Sequence, residues 1–297
     1  MKKVSFAEFG GPDVLRLIDA EEPHAGPGRI RVAVRAAGVN PVDWRIREGQ
    51  VLGAHPITLP SGVGLDAAGI VDEVGEGVEG VGLGDRVFGE GVDTYAEFAV
   101  LSAWAPMPEG LTFEEAAGYP SVVETALRII RECGVRPGQT LLVSGASGGV
   151  GSAVLHIARE RGIRVIGTAG AANQDYLRTL GAVATTYGEG WVERVRLLGP
   201  VDAALDLAGS GVLRELVALT GDPGKVVSIA DLAAPEFGVR FSGVAGSVPE
   251  ALAVAADLIA RGELHIPVEK AYALADAAAA HIDSQAGHTR GRRVLVV

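Results

Sequence analysis

The pattern of apolar and polar positions divides the chain into two parts of different character. From Lys3 to about Ala105, short runs alternate apolar and polar residues between Gly and Pro, as half-buried antiparallel strands do. The clearest runs are 30–37, 69–75 and 85–88, and five glycines between positions 75 and 84 indicate a turn between two strands. This part predicts an irregular antiparallel barrel.

From Phe113 onward, helical patterns alternate with apolar strands. The predicted helices are 113–117, 123–133, 150–161, 174–180 and 249–261, and the predicted strands are 140–144, 164–168, 201–206, 225–229 and 239–242. Such alternation predicts a parallel sheet covered by helices on both faces, so the fold class is α/β. Asn173 is the predicted N-cap of the helix at 174, and Gly181 is its predicted stop.

The segment after Pro267 is predicted to add a helix and a last strand, 293–297, which returns to the first domain. The expected division is therefore a first domain of residues 1–118, completed by 265–297, and a second domain of residues 119–264. The helix at 249–261 is expected to close the second domain.

A glycine-rich turn, Gly145-Ala-Ser-Gly-Gly-Val-Gly151, lies between an apolar strand and an amphipathic helix. Gly148 and Gly149 remove side chains where a backbone would approach a pyrophosphate, and Gly151 lets the helix pack closely on the strand. The helix N-terminus offers free N–H groups and the positive end of its dipole. We predict that this turn binds a dinucleotide; the alternative is a plain turn between strand and helix.

The segment that follows the next strand bears on the choice of dinucleotide. An acidic residue at the end of that strand would bind the ribose 2′-hydroxyl of NAD. The run Thr168-Ala-Gly-Ala-Ala172 has none, and Asp175 is expected on the following helix. This favours NADP. No Arg or Lys lies between Arg164 and Arg178 to pair with a 2′-phosphate, so NAD stays an alternative.

Composition narrows the possible partners and compartments. The formal net charge of -11 disfavours nucleic acid and anionic membranes as partners. The single cysteine, Cys133, excludes an intramolecular disulfide and a multi-cysteine zinc site, and we expect it to be a small apolar filler. Glu8 interrupts the region where a signal peptide needs an apolar run, and no apolar stretch has the length of a membrane span. We expect a soluble, cytoplasmic protein.

Several separated motifs carry a resemblance that runs nearly end to end. They are Ala37-Gly-Val-Asn-Pro-Val-Asp43, the block 60–75, Gly82-Leu-Gly-Asp-Arg-Val87, Glu124-Thr-Ala126, the turn 145–151 and Gly291-Arg-Arg-Val-Leu-Val296. In this order they resemble the zinc-independent quinone oxidoreductase (ζ-crystallin-like) branch of the medium-chain dehydrogenase/reductase superfamily. The resemblance implies a GroES-like barrel domain, an inserted Rossmann domain, an active-site cleft between the two and a homodimer.

The resemblance also implies a metal-free reaction. Zinc-dependent relatives carry Cys where this chain has Asn40 and His-Glu where it has Leu65-Asp66, so three zinc ligands cannot be assembled there. No pair of the six histidines, among them His55, His156 and His265, has metal-ligand spacing. No metal is expected.

The implied function is NADP(H)-dependent hydride transfer to a quinone or an α,β-unsaturated carbonyl. Such acceptors need only hydrogen-bond donors near the oxygen that gains charge. One alternative is an enoyl reductase that tailors a specialised metabolite or an acyl chain. Another is a protein that binds NADP(H) as a sensor without turnover.

Three candidate catalytic residues follow from the motif at 37–43 and the loop after it. Asn40 is expected to contact the nicotinamide or the substrate carbonyl, or to serve only as a turn residue before Pro41. Asp43 is expected to orient this loop or to anchor the start of a helix. Arg45, where many relatives have Tyr, is expected to bind an anionic substrate group or to be a solvated charge.

The resemblance also implies a set of cofactor contacts. Thr125 is expected near the nicotinamide, with a helix-interior Thr as the alternative. Tyr187 is expected at the adenosine phosphate end, or as a half-buried aromatic at a strand end. Asn173 is expected to contact the 2′-phosphate or only to cap its helix. The whole expected set is Asn40, Thr125, Ser147, Gly148, Gly149, Val150, Thr168, Ala169, Asn173, Tyr187, Ala208, Ile229 and Ala230.

Overall fold

The computed structural model describes residues 1–50, 57–243 and 246–297, so His55 lies outside the described residues. Its strands are β1 Lys2–Phe6, β2 Arg16–Asp19, β3 Ile30–Val39, β4 Ser61–Gly62, β5 Asp66–Val74, β6 Arg86–Val92, β7 Phe98–Pro106, β8 Thr140–Ser144, β9 Arg164–Ala169, β10 Val183–Thr186, β11 Ala203–Asp206, β12 Val226–Ser228, β13 Arg240–Phe241, β14 Val268–Ala273 and β15 Arg292–Val296. Its α-helices are α1 Pro41–Arg47, α2 Phe113–Ala116, α3 Pro120–Cys133, α4 Gly149–Glu160, α5 Gln174–Thr179, α6 Trp191–Leu198, α7 Leu213–Thr220, α8 Val248–Ala260 and α9 Ala277–Ala286.

The chain forms two compact units. The barrel unit comprises Met1–Glu124 with Ser247–Val297, and the parallel-sheet unit comprises Thr125–Gly246. We expected residues 119–124 and 247–264 in the second domain, but they group with the barrel unit. For residues 247–264 the reason is that helix α8 packs against strand β7, which a sequence pattern cannot show.

In the barrel unit, strands β3, β5, β6 and β7 pair antiparallel in that order, and β7 pairs again with β3 to close the ring. The alternation predicted for residues 30–37 is confirmed, since Ile30, Val32 and Val34 are buried in the barrel core. The predicted return of the last strand is also confirmed, because β15 pairs antiparallel with β3.

Strand β14 adds to this sheet by pairing parallel with β15. The sequence pattern did not predict it, because most of its residues are exposed and show no apolar alternation.

The parallel-sheet unit has the strand order β10-β9-β8-β11-β12-β13, with parallel pairing throughout. Numbered from β8, this is the order 3-2-1-4-5-6 of the Rossmann fold. The chain reverses its direction of winding between β8 and β11, which is the position where this fold binds ligands. The predicted strand at 140–144 is confirmed. Strand β10 was missed because four residues, Val-Ala-Thr-Thr, carry too little pattern.

One helix begins earlier than predicted. Helix α3 begins at Pro120 and not at residue 123, because proline suits the first turn of a helix, where its missing N–H is not needed. Gly181 does follow the end of α5 with a φ of 86°, as predicted for a helix stop. Across the residues that the structure describes, no helix has both the length and the apolar character needed to cross a membrane.

Candidate cofactor site and the buried network around Asn40

The predicted phosphate turn connects β8 to α4 at the switch point of the parallel sheet. Gly151 is required by the chain itself, since a Cβ there would stand 2.5 Å from the carbonyl oxygen of Ala146. Gly145 has a φ of 81°, which also favours glycine. These two glycines therefore form the close turn.

Gly148 has a different reason to be glycine. Its backbone is extended, with φ -72° and ψ 178°, which any residue adopts. Among residues 1–50, 57–243 and 246–297, a Cβ there would meet only the carbonyl oxygen of Gly145 at 3.7 Å, which is ordinary contact. The chain therefore does not need glycine at this position. A ligand that approaches the backbone does need it, which fits a pyrophosphate.

The N-terminus of α4 fits the same ligand. Gly148 is its N-cap and supplies no side-chain hydrogen bond to the first N–H groups, and Gly149 and Val150 begin the helix. An anion would satisfy these N–H groups and interact favourably with the helix dipole. The residues of this turn can therefore hold the diphosphate of a dinucleotide.

The next strand brings other expected cofactor residues to this edge. Thr168 and Ala169 end β9 and are buried. The side-chain amide of Asn173 donates to Oγ of Ser147 at 3.2 Å, and Asn173 makes no side-chain cap bond to α5. Asn173 thus occupies the predicted N-cap position, but its side chain turns to the glycine-rich turn because Ser147 offers an acceptor there.

Tyr187, after β10, is 52% exposed. Its hydroxyl oxygen lies 3.3 Å from the position that a Cβ on Gly170 would take, so its ring stands beside the segment after β9.

The loops after β11 and β12 complete the edge. Ala208 contacts the turn, because a Cβ on Gly145 would lie 3.2 Å from the Cβ of Ala208. Ala230 stands next to Gly209 in the same way, at 3.1 Å, and Ile229 precedes it. The carboxyl ends of β8, β9, β10, β11 and β12 therefore carry the expected cofactor residues of this unit, apart from Thr125.

Thr125 lies inside helix α3, and its Oγ1 accepts a hydrogen bond from Arg128 at 3.4 Å. The sequence left two roles open for Thr125, a contact with the nicotinamide and a position in the interior of a helix. The structure places it in the interior of α3.

In the barrel unit, Asp43 anchors the start of α1. Its Oδ2 accepts hydrogen bonds from the backbone N–H of Asn40 at 2.8 Å and from the hydroxyl of Tyr95 at 2.9 Å. Its Oδ1 is buried and has no hydrogen-bond partner among the residues that the structure describes. The pKa of Asp43 is raised to about 7, mainly by burial and also by the nearby charge of Asp66, against the lowering effect of its two donors and of Arg292. These contacts belong to a residue that shapes the loop.

The side chain of Asn40 is held by two charged groups. Its Nδ2 donates to Oδ2 of Asp66 at 2.9 Å, and its Oδ1 accepts from Nη2 of Arg292 at 3.0 Å. Arg292 and Asp66 also face each other at 3.5 Å, and both are buried. This arrangement sets which end of the amide is the donor. Nδ2 carries two N–H groups and Asp66 takes one of them; within the described part of the chain the other has no acceptor and can donate.

Burial and ion pairing act in opposite directions on Asp66 and Arg292. Burial raises the pKa of Asp66 and lowers that of Arg292, while the attraction between the two groups opposes each shift. Ser121 adds a backbone N–H at 3.1 Å to the other carboxylate oxygen of Asp66. The buried charges are therefore paired and hydrogen-bonded, as burial requires.

Sequence reasoning did not identify Asp66, Tyr95 and Arg292 as parts of this network. Asp66 entered only as a replaced zinc ligand, and Arg292 only as part of a closing motif. The sequence around Arg292 did not mark it, because Arg293 stands between it and the apolar run 294–297, and the fold buries the first of these two arginines more deeply than the second.

Arg45 is partly buried, and its guanidinium carbon lies 5.4 Å from the ring centroid of Trp44. Burial lowers its pKa. It lies on α1 with Asp43, in the barrel unit, whereas most of the expected cofactor residues lie in the parallel-sheet unit.

Within residues 1–50, 57–243 and 246–297, no group of three or more His, Cys, Asp or Glu side chains has the arrangement of a metal site. Cys133 is buried, as expected of an apolar filler, and burial raises the pKa of its thiol.

Comparison with known proteins agrees with this architecture. Residues 26–109 match the family described as alcohol dehydrogenase GroES-like domain, and residues 180–295 match the one described as zinc-binding dehydrogenase. A quinone oxidoreductase from Pseudomonas aeruginosa is 32% identical, with 99% of each chain covered.

Two solved structures share the fold over the whole chain. A quinone oxidoreductase from Coxiella burnetii has a TM-score of 0.88 at 29% identity, covering 100% of this chain and 99% of its own. A quinone oxidoreductase from Escherichia coli, in complex with NADPH, has a TM-score of 0.85 at 26% identity, with 100% of both chains covered. This chain therefore belongs to the quinone oxidoreductase family of the medium-chain dehydrogenase/reductase superfamily.

Proposed function

We propose that this protein is an NADP(H)-dependent reductase that transfers hydride to a quinone or an α,β-unsaturated carbonyl without a metal. The observation that carries the proposal is Gly148, which the chain does not need as glycine, at the N-terminus of a helix without a side-chain cap. Such a turn receives a phosphate group. The relatives called quinone oxidoreductase support the redox chemistry.

NADPH is proposed over NADH because nothing after β9 resembles the acid that binds the ribose of NAD. The first acidic residue beyond that strand is Asp175, whose side chain is 96% exposed and pairs with Arg178 on α5. The E. coli relative was solved with NADPH, which agrees with this preference.

In the proposed mechanism, bound NADPH supplies the hydride. The free N–H of Asn40 donates to the oxygen of the acceptor, where negative charge develops. Asp66 and Arg292 hold that amide in one orientation. Asp43, which also accepts a hydrogen bond from Tyr95, holds the backbone N–H of Asn40. Positioned donors of this kind stabilise the developing charge without reorganising during the reaction.

The direct test is oxidation of NADPH and of NADH by the purified protein with a simple quinone, a panel of enones and an enoyl thioester. We expect turnover of NADPH with quinones or enones. Turnover confined to the enoyl thioester would favour the enoyl reductase instead. Tight NADPH binding without turnover of any acceptor would favour the sensor.

The turn can be tested at Gly148 with two variants of nearly equal size. Gly148→Asp and Gly148→Asn both suit an N-cap, so both should fold with wild-type stability. Both add atoms to the proposed phosphate position, and only Asp adds negative charge. We expect the Asp variant to weaken NADPH binding more than about 100-fold and the Asn variant less, measured by fluorescence titration. Wild-type affinity in both variants would contradict the assignment of the turn.

The role of Asn40 can be tested by Asn40→Ala. We expect kcat to fall about 100-fold, because the donor to the acceptor oxygen is lost, while the dissociation constant for NADPH changes little. Steady-state kinetics and nucleotide titration of the same preparation separate the two effects. An unchanged kcat would remove Asn40 from the mechanism.

A further inference from the structure

Two buried polar side chains lie behind the edge that carries the proposed cofactor site. Asp206 ends β11 and Ser228 ends β12, and neither side chain is exposed to solvent. The hydroxyl of Ser228 donates to Oδ2 of Asp206 at 2.8 Å. Neither residue belongs to a motif that was recognisable in the sequence.

Each member of this pair also holds a loop through backbone N–H groups. Oδ1 of Asp206 accepts from Gly209 at 3.0 Å and from Ala208 at 3.3 Å. Oγ of Ser228 accepts from Asp231 at 3.0 Å and from Ala230 at 3.2 Å. One hydrogen bond between two side chains thus joins the loop after β11 to the loop after β12.

The joined loops border the glycine-rich turn at the carboxyl edge of the parallel sheet. The loop after β11 touches the glycine-rich turn through Ala208 and Gly145, and it touches the loop after β12 through Gly209 and Ala230. A shift of either loop would therefore move the backbone that borders the turn.

We propose that Asp206 and Ser228 act as positioning residues that hold the loops 207–209 and 228–231 in the shape that receives the dinucleotide. This inference rests on the proposed function, because it assumes that the edge binds NADP(H). Neither residue contacts the reacting atoms in this role. They act by lowering the cost of ordering the two loops when the nucleotide binds.

The direction of the hydrogen bond makes the pair specific. The Ser228 hydroxyl accepts two backbone N–H groups, so its own hydrogen needs an acceptor, and among the described residues a carboxylate oxygen of Asp206 supplies it. In Asp206→Asn, the amide oxygen could still accept from the loop after β11. The amide N–H groups would then face the Ser228 hydroxyl, whose lone pairs already accept the two backbone N–H groups. Ser228→Ala removes the connection from the other side.

The test compares Asp206→Asn, Ser228→Ala and their double variant with the wild type. A matched control is Asp202→Asn, at the opposite end of β11, where the carboxylate accepts the N–H of Thr140 at 2.7 Å. The dissociation constant for NADPH is measured by fluorescence titration at a temperature where all the proteins are folded by circular dichroism. Hydrogen exchange of residues 207–209 and 229–231 is followed in parallel.

We expect each single variant to weaken NADPH binding about tenfold and to speed exchange in both loops, with little change in the control. The double variant should bind within about twofold of the weaker single variant, since the two residues act as one unit. The KM for NADPH should rise while kcat at saturating NADPH is kept.

Wild-type affinity in both single variants would overturn the positioning role and leave the proposed function standing. Effects that multiply in the double variant would also overturn it, because the residues would then act independently. If the wild type binds neither NADPH nor NADH, the proposed function fails and this inference fails with it.

Discussion

In the barrel unit, the residues around Asn40 are held by charged side chains that are buried against one another. In the parallel-sheet unit, the turn 145–151 is shaped by its backbone and by the absence of side chains. Asp66 and Arg292 are both buried in the first region, whereas Gly148 and Gly151 matter in the second because they carry no Cβ. The first region should therefore respond to changes of charge, and the second to added atoms.

This difference follows from what each region has to present. An anion at a helix N-terminus is bound by N–H groups, and any side chain would stand in its way. A side-chain amide that must keep one orientation needs a donor to its oxygen and an acceptor for its nitrogen. When those partners are buried charges, they stabilise the fold only if they also pair with each other.

The largest expected effect is in the barrel unit, from Arg292→Met. This change leaves the buried carboxylate of Asp66 without its cation, so the free energy of unfolding should fall by about 3–5 kcal/mol in urea titrations. Adding Asp66→Asn to the same protein should recover part of that loss, because the uncompensated charge is removed. A loss no greater in Arg292→Met than in Arg292→Lys would show that the charge is not what matters.

The second prediction concerns pH and Asp43. Its pKa is raised to about 7 in the folded protein, against about 4 when unfolded, so between these values the folded state holds a proton that the unfolded state has lost. This contribution to stability is complete below pH 4 and is lost as the pH rises toward 7, by at most about 4 kcal/mol. Asp43→Asn should lack this loss.

The measurement is the free energy of unfolding of the wild type and of Asp43→Asn from pH 4 to 8. As the pH rises, the free energy of unfolding of the wild type should fall relative to that of Asp43→Asn. A difference that stays constant across this range would mean that Asp43 is ionised in the folded protein as it is in the unfolded one.

The smallest of the three effects is in the turn, from Gly151→Ala. The added Cβ would stand 2.5 Å from the carbonyl oxygen of Ala146, so the turn has to move and the free energy of unfolding should fall by about 2–3 kcal/mol. Gly148→Asn is the control, with no loss of stability expected. Equal losses of unfolding free energy in Gly151→Ala and Gly148→Asn would contradict the distinction between a glycine that the fold needs and a glycine that the ligand needs.

Much of the fold was predictable because its signals are local. The strand Thr140–Ser144 and the glycine turn after it were predicted from an apolar run followed by small residues. Strand β10 and helix α8 show the limit of such signals. The first is too short to have a pattern, and the second belongs to the barrel unit through a contact with β7 that is distant in sequence.

The candidate site divides in the same way. Positions that follow a strand directly, such as Ala208 and Ile229, lie together because parallel strands end at one edge, and the order of strands and helices already implies this. The network around Asn40 joins residues 40, 66, 95 and 292, and no local pattern relates them.

The sequence by itself determined the alternation of strands and helices and the turn at 145–151, since each depends on neighbouring residues alone. The residues at positions 40 and 65 that replace zinc ligands were identified through the family resemblance. Only the tertiary structure decided that Asp43 anchors the loop, that Asp66 and Arg292 orient Asn40, and that Asp206 joins two loops through Ser228. The physical reason is that buried polar groups must find partners wherever the fold brings them, and the distance along the chain does not limit that choice.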